Sequence, residues 1–445
     1  MRILITNTGP WGTGSGTVAD GVMTELKRRG HEVMAFFPDS GFPGNGYEKF
    51  YGDEESYHIV KFPIIHNGVA LYTFPLIIED PNPRNYKDAW TFKDLTEEEL
   101  EAYFSYMKEE LEKVIRDFKP DVIECQHIWA LDHLIHQMDH KYICVAHHSD
   151  QLGFLYDKRM QNITIQSAKK AAYIFAVSDY VKEEVLSLYD VDPEQVIVTG
   201  NGYDQAIFQP NKKLNRQTVM TEMGYPNLEN YPIITFCGKI SKTKGIDVLL
   251  EANQYIQEKT KAYILIMGSG NLDTLSKSER EKLHMENVLI LGQRSQRELA
   301  MLHNISKLSV LPSRTEGFGI AALEAMGCKK PVVVTRVGGL PSFAVGKIVK
   351  RENAKDLAEG ILEILNMEEM AYHNICQKSL RTAKEYSWEN IVNIRMKYYK
   401  KRGCHSAINR SALHIMLDSQ KKAPKATIVL SFYGLFVVIL NHSYV

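Results

Sequence analysis

The sequence predicts an α/β protein made of two doubly wound, Rossmann-like domains facing each other across a cleft. Short β-rich runs alternate with helical segments over residues 1–203. The alternation fails over 204–231, a stretch holding Pro210 and Pro226 and running up to Pro232. It then restarts over 232–386 with the same rhythm. Strands covered by helices on both faces read as short continuous apolar runs, and right-handed crossovers wind such strands into an open parallel sheet.

In chain order, Ile3 to Thr6 is the first strand, and a glycine-rich turn from Gly9 to Gly16 follows it. Val18, Val22 and Leu26 then share one helical stripe that Gly30 ends. His31 to Phe36 is the next strand. From about Phe37 to Phe92 the chain is irregular, rich in Pro, Asn and aromatic residues. Thr96 caps an amphipathic helix carrying Leu100, Phe104, Met107, Leu111, Val114 and Phe118 at helical spacing, closed by Pro120. Strands are expected at Val122–Cys125, Tyr142–Ala146, Tyr173–Val177 and Gln195–Thr199. The stretch 204–231 reads as a linker region. In the second half strands are expected at Ile233–Cys237, Ala262–Met267, Val288–Leu291, Leu308–Leu311 and Pro331–Thr335, with helices between.

Lys and Arg number 53 against 54 Asp and Glu, which gives no electrostatic reason to expect nucleic acid as a partner. The six cysteines show neither a CxxC pair nor zinc-like spacing, and several sit in apolar strands as small buried hydrophobes, which fits a reducing cytosol. The apolar run after Met1 is too short for a signal peptide. Near the other end, Ile428 to Leu440 is mostly apolar but shorter than the ~20 residues of a spanning helix. Preceded by Lys421, Lys422 and Lys425, it suits a short interfacial anchor or an extra packed element.

Ligands of open α/β sheets bind beyond the carboxyl ends of the strands, and the notable residues follow strands. After Leu311 comes Ser313-Arg314-Thr315-Glu316-Gly317-Phe318-Gly319, opening a helix that contains Glu324. Gly317 and Gly319 let backbone approach a ligand, and the helix N-terminus offers free N–H groups to a diphosphate. Glu316 and Glu324 bracket that helix end, which suits sugar hydroxyls at Glu316, a ribose at Glu324 and phosphates between them. After Cys237, Gly238 turns the chain and presents Lys239 and Lys244, two cations able to neutralise a departing diphosphate. Gly12 to Gly16 lacks the spacing of a dinucleotide fingerprint but can offer backbone N–H groups from the other domain. His147 and His148 end a strand at the cleft. No metal-ligand spacing, GxSxG elbow or Walker loop is present.

Together these stretches resemble family 4 of the retaining glycosyltransferases, whose GT-B architecture sets two Rossmann-like domains face to face. The resemblance rests on Glu316 and Glu324 within EGFGIAALEAMGCKKPVVVT, on Gly238-Lys239 with Lys244-Gly245, on Asn201-Gly202-Tyr203-Asp204 with Phe208 and Pro210, on Gly14-Ser15-Gly16 and on Arg29 to Val33. It runs from residue 1 to about 400. It implies an acceptor-side domain over 1–203 and a nucleotide-sugar domain over 232–386. A closing helix over 387–402, with Trp388, Ile391, Val392 and Tyr399 on one face, would cross back to the first domain. A tail over 403–445 matches nothing in the family.

By resemblance, Glu316 contacts the transferred sugar, Glu324 the ribose, and Lys239 and Lys244 the diphosphate. Gly16, Gly238, Gly317, Phe318 and Gly319 line the donor, Gly292 faces the base and His148 stands near the sugar. The implied reaction moves a hexose or N-acetylhexosamine from a nucleotide-diphosphate donor, UDP first and GDP next, with retention. It needs no cofactor and no metal. The acceptor is a glycan, a lipid-linked sugar or a small molecule, reached in the cytoplasm or by peripheral contact at the inner membrane face. The chain departs from the family at Lys239, where Arg is usual, and at Ser342, where Glu is usual after Gly-Gly-x-Pro. Rival readings are a nucleotide-sugar 2-epimerase or hydrolase of the same architecture, and a non-catalytic nucleotide-sugar binder.

Overall fold

Runs such as Ile3-Leu4-Ile5 and Val332-Val333-Val334 are wholly buried, because each lies in a parallel sheet with helices on both faces. The computed structural model describes residues 1–11, 14–39, 52–79, 90–401, 427–428 and 439–440. Two units separate, Met1–Arg395 and Met396–Val445, so both α/β halves belong to one compact body.

The first half holds strands β1 (Arg2–Asn7), β2 (Glu32–Asp39), β3 (Tyr57–Lys61), a hairpin of β4 (Ile64–His66) and β5 (Val69–Leu71), then β6 (Val122–Gln126), β7 (Ile143–Ala146), β8 (Ile174–Ala176) and β9 (Val196–Val198). Its helices are α1 (Gly14–Arg28), α2 (Glu97–Phe118), α3 (Ala130–Gln137), α4 (Ser149–Tyr156), α5 (Gln161–Lys170) and α6 (Asp179–Tyr189). The sheet order is β3-β2-β1-β6-β7-β8-β9, all parallel. The second half begins with α7 (Arg216–Glu222). Strands β10 (Ile233–Cys237), β11 (Tyr263–Met267), β12 (Val288–Gly292), β13 (Leu308–Leu311), β14 (Val332–Thr335) and β15 (Gly346–Val349) then form the order β12-β11-β10-β13-β14-β15, also parallel. Its remaining helices are α8 (Ile246–Gln257), α9 (Lys277–Arg280), α10 (Gln296–Ile305), α11 (Ile320–Gly327), α12 (Leu340–Phe343), α13 (Ala354–Leu365) and α14 (Glu369–Glu385). In each sheet the strand order reverses once, between β1 and β6 and between β10 and β13. Such switch points open a crevice at the carboxyl ends.

Local signals account for the helix ends. Thr96 accepts from Glu99 N, and Glu99 Oε2 accepts from Thr96 N at 2.8 Å, a reciprocal cap that starts α2. Lys119 turns left-handed and Pro120 stops it. Leu100, Met107, Leu111, Val114 and Phe118 are buried as expected, Phe104 is half-buried, and Tyr103 joins the same face.

The irregular region expected from Phe37 to Phe92 holds β3, β4 and β5, which periodicity missed. β3 is an edge strand of mixed polarity, and the hairpin strands have three residues each. β15, another edge strand, was likewise not expected. The 204–231 stretch is more than a connector. Asn215 caps α7, whose Val219 and Met220 pack with Ile233, Leu265, Met267 and Leu302 on one face of the second sheet. Leu249, Ile256, Ile264, Ile266, Val333 and Ile361 fill the opposite face.

From 388 a helix runs to 401. At its start the Trp388 indole lies on two glycines of the first half: an added Cβ would fall 2.1 Å from it at Gly21 and 2.5 Å at Gly202. Arg29 Nη1 donates to Asn393 Oδ1 at 2.7 Å, and Ile391 and Val392 are buried. In the second unit the short pair Thr427–Ile428 and Ile439–Leu440 runs antiparallel. The rest of the apolar Ile428–Leu440 stretch lies outside the described residues. Among the described residues no helix is long and apolar enough to cross a membrane.

Candidate active site

A cavity of about 250 Å³ opens at the two switch points. Phe236, Cys237 and Gly238 reach it from the end of β10, Leu311 and Ser313 from the end of β13, and Glu316 to Ala321 from the loop and first turn of α11. The first half contributes Gly14, Ser15 and Val18 of α1, His147, Ser149, Val177 and Asn201. Two helix N-termini, of α1 and α11, therefore meet one cavity, and their unpaired N–H groups favour an anion there. Residues 12–13 of the glycine turn lie outside the described residues. Gly16 stands behind the cavity wall, where a Cβ would come within 3.1 Å of Pro10 O and Trp11 Cα; it seats the start of α1.

Lys244 and Glu316, predicted to serve phosphate and sugar, meet each other: Lys244 Nζ donates to Glu316 Oε2 at 2.7 Å. Both side chains are partly shielded, at 32% and 15% exposure, and both line the cavity. Arg314 ties their two loops together. It binds Asp247 in a fork at 2.7 and 2.8 Å and Glu352 at 2.7 Å, and also donates to Lys242 O.

Gly317 lies where the halves touch. An added Cβ would sit 2.5 Å from His147 O and 3.1 Å from His148 Cβ, and Gly317 O accepts from Ser178 Oγ at 2.8 Å. Gly319 caps α11 with φ of 104°, and Phe318 stacks on Phe343.

Glu324 faces inward from α11 and is 8% exposed. Burial alone pushes its carboxyl up to about 8, so at neutral pH it is protonated. It stands close enough to Cys237 to help raise that thiol's pKa. Gly238 lines the cavity, whereas Lys239 is half-buried beside it. Gly292 ends β12 with φ of 71°, its carbonyl accepting from Gly268 N at 2.9 Å. Glu324, Lys239 and Gly292 thus flank the cavity rather than line it.

His148 is placed differently from expectation. Its Nδ1 faces both oxygens of Glu184 at 2.8 and 3.0 Å, and its Nε2 meets Thr315 Oγ1 at 2.5 Å. Both ring nitrogens are therefore engaged, and the residue latches the first half to the Glu316 loop. The histidine lining the cavity is His147. A strand sends every second side chain to one face, so His147 continues the row of Ile143 and Val145. Arg314, Thr315 and Asn201 stood in the quoted motifs without a role of their own, and Glu184 and Ser178 were missed, although Ser178 follows β8, where functional residues are expected. Among the described residues no three His, Cys, Asp or Glu side chains converge on a metal position.

Comparison with known proteins matches both halves. Residues 12–206 match the family described as Glycosyltransferase Family 4, and residues 224–379 match Glycosyl transferases group 1. A glycosyltransferase of Methanocaldococcus jannaschii is 31% identical over 223 residues, covering 49% of this chain and 56% of that protein. The D-inositol 3-phosphate glycosyltransferase of Mycolicibacterium smegmatis is 28% identical over 246 residues, 53% of this chain and 54% of that protein. The matched stretch thus spans little more than half the length of these two relatives. The solved structure of Anabaena HepE in complex with UDP-glucose superposes with a TM-score of 0.67 at 15% identity, covering 90% of this chain and 100% of that one.

Proposed function

The chain belongs to the family 4, group 1 glycosyltransferases of GT-B fold, and on that premise we propose that it moves a hexose or N-acetylhexosamine from a nucleotide-diphosphate donor to an acceptor hydroxyl with retention. The observation that carries the reading is the Lys244–Glu316 pair at 2.7 Å, inside a cavity walled by two helix N-termini. A diphosphate entering the cavity competes with Glu316 for Lys244. The exchange gives the ammonium to phosphate and frees the carboxylate to accept from sugar hydroxyls. Buried Glu324 takes the ribose hydroxyls, and Lys239 adds charge beside Gly238.

As the bond from the anomeric carbon to the diphosphate oxygen breaks, negative charge grows on the phosphate. Lys244, Lys239 and the α11 amides stabilise that charge without a metal ion or cofactor. The acceptor oxygen bonds to the anomeric carbon on the same face, and its proton passes to the departing phosphate. UDP-sugars are the first candidates, because the neighbour of the same fold is described with UDP-glucose. The acceptor class is a glycan, a lipid-linked acceptor or a small molecule.

Calorimetric titration with UDP, GDP, ADP and dTDP, without added metal, tests this. Selective binding of one nucleotide, weakened tenfold or more by Glu324→Ala, supports it. Binding of none, even with magnesium present, overturns it.

A further inference from the structure

Arg395, eight residues into the returning helix, is completely buried. Arginine offers donors only and keeps its charge at any working pH. Its Nη1 donates to Glu124 Oε1 at 2.7 Å, and neither side chain is exposed at all. The same oxygen lies 2.7 Å from Gln126 Nε2. An oxygen that accepts from arginine also accepts from its next neighbour, so the Gln126 amide turns its NH₂ toward Glu124 and its Oε1 away. That Oε1 lies 2.8 Å from His147 Nε2, which must then carry a proton. The parallel register of β6 and β7 pairs Gln126 with Val145 and so brings His147 alongside.

The His147 ring is neutral. Burial, the His127 ring 5.1 Å away and the Arg395 charge all hold it well below the usual histidine range. The nearby Asp150 carboxylate is taken up by the backbone N–H groups of His147 and Ile128 and by Gln151. A neutral imidazole protonated on Nε2 carries its lone pair on Nδ1. That nitrogen has no partner among the described residues, and His147 lines the cavity.

Stability alone is a poor reason for this arrangement. Nε and Nη2 of Arg395 are buried without hydrogen-bond partners, although the guanidinium lies 5.5 Å from the Phe175 ring centroid, and a buried ion pair rarely outperforms apolar packing of the same volume. We propose that Arg395 is a positioning residue: through Glu124 and Gln126 it fixes His147 as the Nε2-protonated tautomer, offering the cavity a lone-pair acceptor for a substrate hydroxyl. The identity of that hydroxyl as sugar or acceptor rests on the transferase reading; the tautomer does not.

The test is the ¹⁵N spectrum of the histidine ring nitrogens in the full chain. Native protein should show a single neutral, Nε2-protonated ring for His147. Arg395→Met combined with Glu124→Leu leaves no lone buried charge, and Gln126→Met leaves the ion pair intact; in each, the His147 proton should distribute over both nitrogens. A mixed or Nδ1-protonated ring in the native chain, or an unchanged spectrum in folded Gln126→Met, overturns the proposal. If the double variant does not fold, Gln126→Met decides. His147→Gln keeps an amide N–H toward Gln126 but loses the Nδ1 lone pair, and should lower kcat/KM on the order of tenfold. A rise in donor KM assigns the hydroxyl to the sugar, and a rise in acceptor KM assigns it to the acceptor. Unchanged kinetics overturn the role in substrate binding. Absence of turnover by the native chain counts against the transferase reading, while the tautomer spectrum still judges the relay.

Discussion

Replacing Glu324 by Gln should make the protein more stable while weakening its hold on nucleotide. The buried Glu324 carboxyl titrates at about 8, against 4.5 for the same group in water. Each pH unit of that shift corresponds to about 1.4 kcal/mol of preference for the protonated form. A carboxyl raised on folding contributes its full stability below pH 4.5, and that contribution is lost as pH rises through 8. At pH 7.5 the unfolded chain has ionised Glu324 and the folded chain has largely not, so the native state is penalised by about 4 kcal/mol. Gln is isosteric and never ionises. Urea unfolding followed by tryptophan fluorescence at pH 7.5 should therefore show Glu324→Gln more stable by about that amount, with the two proteins within about half a kcal/mol at pH 4.5. Calorimetry on the same samples should show weaker nucleotide binding, since the amide cannot become a carboxylate for ribose. A variant no more stable than native at pH 7.5, or equally stabilised at both pH values, would refute the assigned burial of the carboxyl.

Lys244→Ala should weaken UDP binding by about 10- to 100-fold, the range for losing a charge-assisted hydrogen bond, and leave uridine binding unchanged; equal losses for both ligands would place Lys244 away from the phosphates. Gly317→Ala puts a methyl group 2.5 Å from His147 O. It should cut kcat/KM tenfold or more in a folded protein, as measured by donor turnover beside a thermal melt. Gly21→Ala drives a methyl into the Trp388 indole. It should cost about 1–3 kcal/mol, as overpacking does, and red-shift the tryptophan emission; an unchanged spectrum would mean that the indole does not rest on Gly21.

Much of this molecule was legible in its sequence. Strands such as Ile233–Cys237 and Leu308–Leu311 fall where apolar runs end in glycine, proline or polar residues, because a doubly covered strand is apolar along most of its length, and the buried hydroxyls of Thr235 and Ser309 donate to backbone carbonyls. Thr96 and Glu99 spell out a helix start by themselves, since a cap is satisfied within four residues. Of the outer strands, apolar β9 and β12 were legible, whereas β3, with Tyr57, His58 and Lys61, and β15, with Gly346 and Lys347, were not. One side of an edge strand lacks a neighbour, so its residues need not be apolar, and pairing alone makes it a strand.

The site divides along the same line. The sequence brings Glu316, Gly317 and Gly319 together, because they share one loop. The meeting of Lys244 with Glu316 spans 72 residues, and that of His148 with Thr315 spans 167. Which of two adjacent histidines reaches the cavity depends on strand parity and on what the opposite half presents. Arg395 meets Glu124 across 271 residues. Nothing local requires a charge on an otherwise apolar helix face; its reason lies in the partner that folding brings to it. Sequence determines a contact when the groups that satisfy it lie within a turn or a strand. Tertiary structure decides it when each group is satisfied only by one that the fold carries in from elsewhere.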